Sequence, residues 1–153
     1  MYRMSSVSQL RNNVERWLVH ENYKFSNKKT EDATFCTVIK NVGSYGMPIE
    51  IFEPKNQPGV LVIGGKVFFK NNQTLRYNKL TESERENFHN SVKDFCDSIY
   101  AINKIFKEDG KVIIGVYVVL DKVEQFTQQL VMDTIAKVNE MSDKVTRFVL
   151  KTF

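Results

Sequence analysis

The sequence predicts an α+β fold: an antiparallel sheet of about five strands with three flanking helices, in the order helix, three strands, helix, hairpin, long helix. Three observations carry that reading. From Phe126 to Phe153 there is no glycine or proline, and apolar residues recur at Leu130, Ile135, Val138, Met141, Val145, Phe148 and Val149, the rhythm of a helix with one buried stripe. Between the helical stretches lie β-branched or alternating segments separated by glycine-bearing turns. Strands joined by tight turns pair antiparallel, and helices that interrupt them pack on a face.

The first helix is expected from Ser6, which with Gln9 fits a capping box. Val7, Leu10, Val14, Trp17 and Leu18 form its apolar face, and the helix should fade near Asn22. Tyr23 and Phe25 flank Lys24, which suggests a turn into a strand or a strand start, and the polar run 26–32 reads as a loop. Ala33 to Val42 reads as a strand, Gly43 to Gly46 as a turn, and Pro48 to Glu53 as a half-buried strand by its alternation. Val60 to Ile63 is apolar on both faces, as in a central strand, and Val67-Phe68-Phe69 continues beyond Gly64-Gly65. That glycine pair marks a bulge or a tight hairpin, with a bulge or break favoured. Asn71 to Lys79 is polar and irregular.

Thr81 followed by Glu84 is a second capping box, and Glu82, Glu84 and Glu86 suit the positive end of a helix. Phe88, Val92, Phe95 and Ile99 supply its buried face. The helix should stop near Tyr100, because Glu108-Asp109-Gly110-Lys111 signals a hairpin whose partner strand can only be Ile102 to Lys107. Lys111 to Asp121 forms the other arm. The last helix, of roughly 25 residues at about 1.5 Å each, is about 38 Å long, so its stripe must cross a sheet or reach a second subunit. Its acid-first pairs, Asp133 with Lys137, Glu140 with Lys144 and Asp143 with Arg147, read as a solvated face.

At 153 residues, with 42% apolar and 26% charged side chains, the chain fits a single domain, 1–153, that needs neither metal nor disulfide for a core. No apolar run approaches the ~20 residues of a membrane span, and the N-terminus lacks the apolar segment of a secretory signal. A cytoplasmic protein without membrane partners is expected. Cys36 and Cys96, each beside a phenylalanine, read as reduced core thiols.

Gly64-Gly65-Lys66 lacks the glycine and hydroxyl spacing of a phosphate loop and lies in a strand. His20 and His89 each stand alone, with no metal-ligand spacing. The carboxylate pairs Asp94/Asp97, Glu108/Asp109 and Asp121/Glu124 are explained by a wet helix face, a turn and a strand end. No catalytic residue, cofactor site or metal site is expected, and the chain reads as a non-enzyme. Residues 55–79 hold Lys55, Lys66, Lys70, Arg76 and Lys79 without an acid. A basic surface of Lys66, Lys70, Arg76 and Lys79, interleaved with Phe68, Phe69 and Tyr77, would suit phosphates and stacked bases. A solvated sheet edge explains the same lysines.

The stretch Val60-Leu-Val-Ile-Gly-Gly-Lys-Val-Phe-Phe, the charged helix start from Leu80 to Phe88, and the ending from Phe126 to Val149 together resemble an uncharacterised, mainly archaeal domain family of unknown function. The resemblance implies a fold like that of type III secretion chaperones and supplies no catalytic residues. The expected function is therefore a protein-interaction module, chaperone-like and homodimeric, binding another protein or peptide. Eleven phenylalanines and six tyrosines, more than one modest sheet requires, support an exposed apolar groove or a dimer seam. The alternative is a nucleic-acid-binding domain using the basic segment 55–79.

Overall fold

The computed structural model describes residues 2–153, without the side chains of residues 2–8, 41 and 42. The elements in order are α1 (Tyr2–His20), β1 (Phe25–Asn27), β2 (Ala33–Val42), β3 (Met47–Pro54), β4 (Leu61–Phe68), α2 (Asn71–Asn78), α3 (Glu82–Asp97), β5 (Ile102–Glu108), β6 (Lys111–Leu120), a 3-10 turn at Val123–Gln125, and α4 (Gln128–Thr152). The sheet has six antiparallel strands in the order β1-β2-β3-β4-β6-β5. The α+β class therefore holds, with one strand and one helix more than expected.

The extra strand is β1, three residues pairing Phe25 to Asn27 against Ile39 to Thr37. Phe25 bears out the strand start that Tyr23 and Phe25 suggested, but the strand runs on to Asn27 in what was expected as loop, because β2 offers a free edge. The extra helix is α2, in the segment expected to be irregular. Gln73 Oε1 accepts the Lys70 N–H at 2.8 Å, half of a capping box, and Tyr77 and Thr74 are buried. Tertiary packing outweighs the weak local propensity of this asparagine-rich stretch. The first helix begins at Tyr2, ahead of Ser6, so Ser6 is interior to it; the proposed Ser6 cap lies outside the described side chains.

Gly64-Gly65 is neither bulge nor turn. β4 pairs with β6 in one unbroken register from Leu61 opposite Leu120 to Phe68 opposite Ile113. The glycines answer to close approach instead. A Cβ on Gly65 would collide with Ser142 Oγ on α4 and lie 3.2 Å from Val138 Cγ1, so the helix rests directly on the strand.

The capping box of α3 forms as expected: Thr81 Oγ1 accepts the Glu84 N–H and Glu84 Oε1 accepts the Thr81 N–H. The β5–β6 hairpin turns on Asp109 and Gly110, both with positive φ of 52° and 77°, the conformation that an Asp-Gly pair favours.

Among the described residues, the helices pack on one face of the sheet. Val14 and Leu18 of α1 meet Ile39, Ile49, Ile51, Leu61 and Ile63 in one cluster, closed by Val131, Ile135 and Val138 of α4. Phe88, Val92 and Cys96 of α3 meet Val112, Ile114 and Val116 in a second, closed by Met141, Val145 and Val149 of α4. The long helix thus spans both halves, and its stripe finds cover inside its own chain. Each such aliphatic side chain contributes about 1.5–3 kcal/mol on burial. The three acid-first pairs on α4 do not form among the described ion pairs. Asp143 is buried and its Oδ2 accepts the Ser44 N–H at 3.3 Å, tying the β2–β3 turn to the helix.

Candidate functional site

Strand pleating sends alternate side chains to opposite faces, so the register fixes what the uncovered face carries. Across the strands run Cys36, Phe52, Val62 and Val119; then Val38, Glu50, Gly64, Tyr117 and Ile102; then Lys66, Gly115 and Lys104; then Phe68, Ile113 and Phe106. None of these residues belongs to either helix-built cluster. Ile102 is 59% exposed, Phe68 42% and Val119 38%, with Tyr100 at 93% at the head of β5. This side of the sheet is apolar, helix-free among the described residues, and crossed by a polar line.

The polar line starts at Lys28, which continues the β1 alternation. Lys28 Nζ lies 3.3 Å from Glu50 Oε2, and Lys66 Nζ lies 3.6 Å from Glu50 Oε1. One carboxylate therefore serves two ammonium groups. Lys104 stands beyond Gly115 on the edge strand, its Nζ 5.6 Å from the centre of the Phe106 ring.

Tyr117 lies flat between these lysines. A Cβ at Gly64 would come 2.5 Å from Tyr117 Cδ1, and one at Gly115 would collide with its hydroxyl. The ring thus occupies the space two glycines leave vacant, with its oxygen over Gly115. Burial, then the Glu50 and Glu108 carboxylates, push its hydroxyl above the ordinary tyrosine value, so it stays a proton donor at neutral pH. Cys36 is buried in the same face, and burial followed by Glu50 pushes its thiol up to about 11 against the pull of Lys28 and Lys66. Burial raises Cys96 likewise to about 11. Neither is a nucleophile at neutral pH.

The basic segment does not converge on one surface. Lys66 sits mid-sheet on the open face, held by Glu50. Lys70 precedes α2, Lys79 follows it, and Arg76 donates from Nη1 to the backbone oxygen of Phe153. Of the aromatics offered for stacking, Phe68 is exposed, but Phe69 and Tyr77 are buried in the core. The edge-on rings of Phe69, Tyr77 and Phe88 make an aromatic cluster there. Sequence reasoning missed Tyr117, Glu50, Lys28 and Lys104, which come together only through cross-strand register. The alternation of β3 was the available signal, but it does not say which face is left bare.

Other places offer less. His89 Nε2 and the Tyr77 hydroxyl lie 2.6 Å apart on stacked rings, while Cys36 faces the opposite side of the sheet from the helices that carry His89. An open groove of about 420 Å³ beside the end of α3 is lined by Ser98, Ile99, Lys137, Glu140, Lys144 and Arg147, among others. Among the described residues, no group of three or more His, Cys, Asp or Glu side chains could hold a metal ion, and no helix is long and apolar enough to cross a membrane.

Comparison with known proteins agrees with the fold and is silent on activity. The architecture is similar to the crystal structure of an uncharacterised protein from Methanothermobacter thermautotrophicus, with a TM-score of 0.76 at 14% identity over 94% of this chain and 99% of that one. It is also similar to YbjN from E. coli, with a TM-score of 0.52 at 11% identity over 92% of this chain and 88% of that one. At such identities the likeness speaks for the fold alone. No curated protein matches the sequence significantly. Residues 10–149 match the model of a family described as an uncharacterized conserved protein, DUF2299, and the chain belongs to that family.

Proposed function

We propose that this protein is a non-enzymatic, chaperone-like interaction module that receives an extended segment of another protein on the helix-free face of its sheet. The observation that carries the reading is the exposure of Ile102, Val119, Phe68 and Tyr100 on or beside a face that, among the described residues, the helices leave uncovered. Exposed apolar surface of this kind costs solubility unless a partner covers it. The long helix needs no second subunit, since its stripe packs on its own sheet, so the open face is where a partner gains most. The likeness to type III secretion chaperones that the family resemblance implies supports the same reading.

The test is suppression of aggregation of a chemically unfolded model protein, followed by light scattering. The native chain should suppress it, and Val119→Lys with Ile102→Glu should abolish the effect without lowering thermal stability. Equal suppression by that variant overturns the reading. So does binding of a single-stranded oligonucleotide at 50 mM salt that the same substitutions abolish while the unfolded protein is ignored.

A further inference from the structure

The open face is banded, and the bands have chemistry. Along the strand direction, successive rows on one face are about 6.8 Å apart, two residues at about 3.4 Å. The first row is apolar, Phe52 and buried Val62 leading to exposed Val119, and the second sets Glu50 beside Gly64, Tyr117 and exposed Ile102. The third is cationic, with Lys66 and Lys104 on either side of Gly115, and the fourth is apolar again (Phe68, Ile113, Phe106). Neighbouring strands are about 4.8 Å apart, so the two lysines flank Gly115 at about that distance on each side.

Resting on the proposal that this face binds an extended polypeptide, we infer that its partner is acidic: a segment with one carboxylate set among apolar side chains, seated on the Tyr117 hydroxyl that overlies Gly115, between Lys66 and Lys104. Charge decides between candidate occupants. Lys28, Lys66 and Lys104 stand on this face against Glu50, while Glu108 and Lys111 oppose each other at the hairpin. Glu50 is shared by two lysines, so an incoming carboxylate can take Lys66 and leave Lys28 to Glu50. A second copy of the chain would bring the same surplus of positive charge and be repelled. Tyr117 presents its hydroxyl over Gly115 because Gly64 and Gly115 leave room for its ring to lie flat. The spacing also suits an extended chain, whose side chains on one side repeat with the same period of two residues.

The experiment uses the full chain and short labelled peptides with leucine, leucine, aspartate and leucine at alternate positions and serine between them. The controls replace the aspartate by asparagine or lysine. Binding is read by fluorescence anisotropy, and the site by amide shifts in a nuclear magnetic resonance titration. The aspartate peptide should bind about fivefold more tightly than the asparagine one, and the lysine peptide more weakly still. Lys66→Gln with Lys104→Gln should weaken the aspartate peptide by about tenfold, since exposed ion pairs contribute up to about a factor of five each. Tyr117→Phe should act on that peptide alone. Salt should erase the preference.

The inference is overturned if aspartate and asparagine peptides bind equally, or if the lysine substitutions leave binding unchanged. It is also overturned if an oligothymidylate outcompetes the acidic peptide with the same lysine dependence, or if the chain self-associates through Val119. Equal binding of all three peptides, lost in Val119→Lys, would sink the acidic partner and leave the docking face standing. Retained suppression of aggregation in Val119→Lys with Ile102→Glu would sink the docking face itself.

Discussion

Gly65 on β4 lies directly beneath Ser142 on α4, so close that any side chain at position 65 would overlap the serine oxygen. The Ser142 oxygen is buried and has no hydrogen-bond partner. Helix and strand are therefore in contact through the absence of one side chain and the smallness of another. Gly65→Ala should destabilise the fold by about 1–3 kcal/mol, the usual cost of overpacking. Ser142→Ala should be neutral or mildly stabilising, because it removes an unsatisfied buried group. Their combination should recover part of the loss in chemical denaturation, and strict additivity would refute the contact.

Gly64 makes a different prediction from its neighbour. Its open side is filled by the Tyr117 ring, which borders solvent and can swing away. Gly64→Ala should therefore cost less stability than Gly65→Ala, while raising the exposure of Tyr117 to iodination or to fluorescence quenching.

Alkaline pH should weaken the fold before neutral or mildly basic pH does. Cys36 and Cys96 are raised to about 11 and Tyr77 and Tyr117 are raised in the same direction, chiefly by burial. A thiol raised in the folded state stabilises fully below its unfolded value near 9, and that contribution is lost as pH climbs toward 11. Thermal midpoints should fall across that window, and less so in Cys36→Ala with Cys96→Ala. At pH 8 both thiols should resist Ellman's reagent until the chain is unfolded.

His89 is held below the ordinary histidine value, first by burial and then by the nearby Arg85 guanidinium. A histidine lowered by folding stabilises above its unfolded value near 6.5 and loses that contribution as pH falls through its folded value. Arg85→Gln should raise the His89 titration midpoint seen by nuclear magnetic resonance. Tyr77→Phe, which removes the 2.6 Å hydrogen bond, should cost about 1 kcal/mol.

Glu53 is almost fully buried on the helix side of β3, and its Oε2 accepts the Gly59 N–H at 2.7 Å. Glu53→Ala should lower stability by about 1.5–3 kcal/mol, the worth of a hydrogen bond to a charged group. Hydrogen exchange at Gly59 should accelerate with it. Unchanged exchange would show that the loop 54–59 is held by something else.

Much of the fold was legible in short range because local signals and tertiary packing agree there. The Thr81–Glu84 box, the Asp109-Gly110 turn and the bounds of β2 are properties of a few adjacent residues, and the structure keeps them. The extent of β1 beyond its start at Phe25, and the whole of α2, were missed for the opposite reason. Each is too short to carry a period, and each is stabilised by a remote partner, the edge of β2 for one and the aromatic core around Phe69 and Tyr77 for the other. The basic segment misled because closeness in sequence is not closeness in space: one residue of pleat separates Phe68 on the open face from Val67 in the core.

The residue pattern alone determined that this chain makes antiparallel strands and amphipathic helices, and that its last helix is long with one apolar stripe. Those are consequences of backbone geometry acting on neighbours a few positions apart. Which face of the sheet the helices would cover, and therefore that Glu50, Tyr117, Lys66 and Lys104 would share the uncovered one, was decided only by tertiary structure. Alternation tells two faces apart without saying which is inside, and cross-strand register joins residues as far apart in sequence as Lys28 and Lys104.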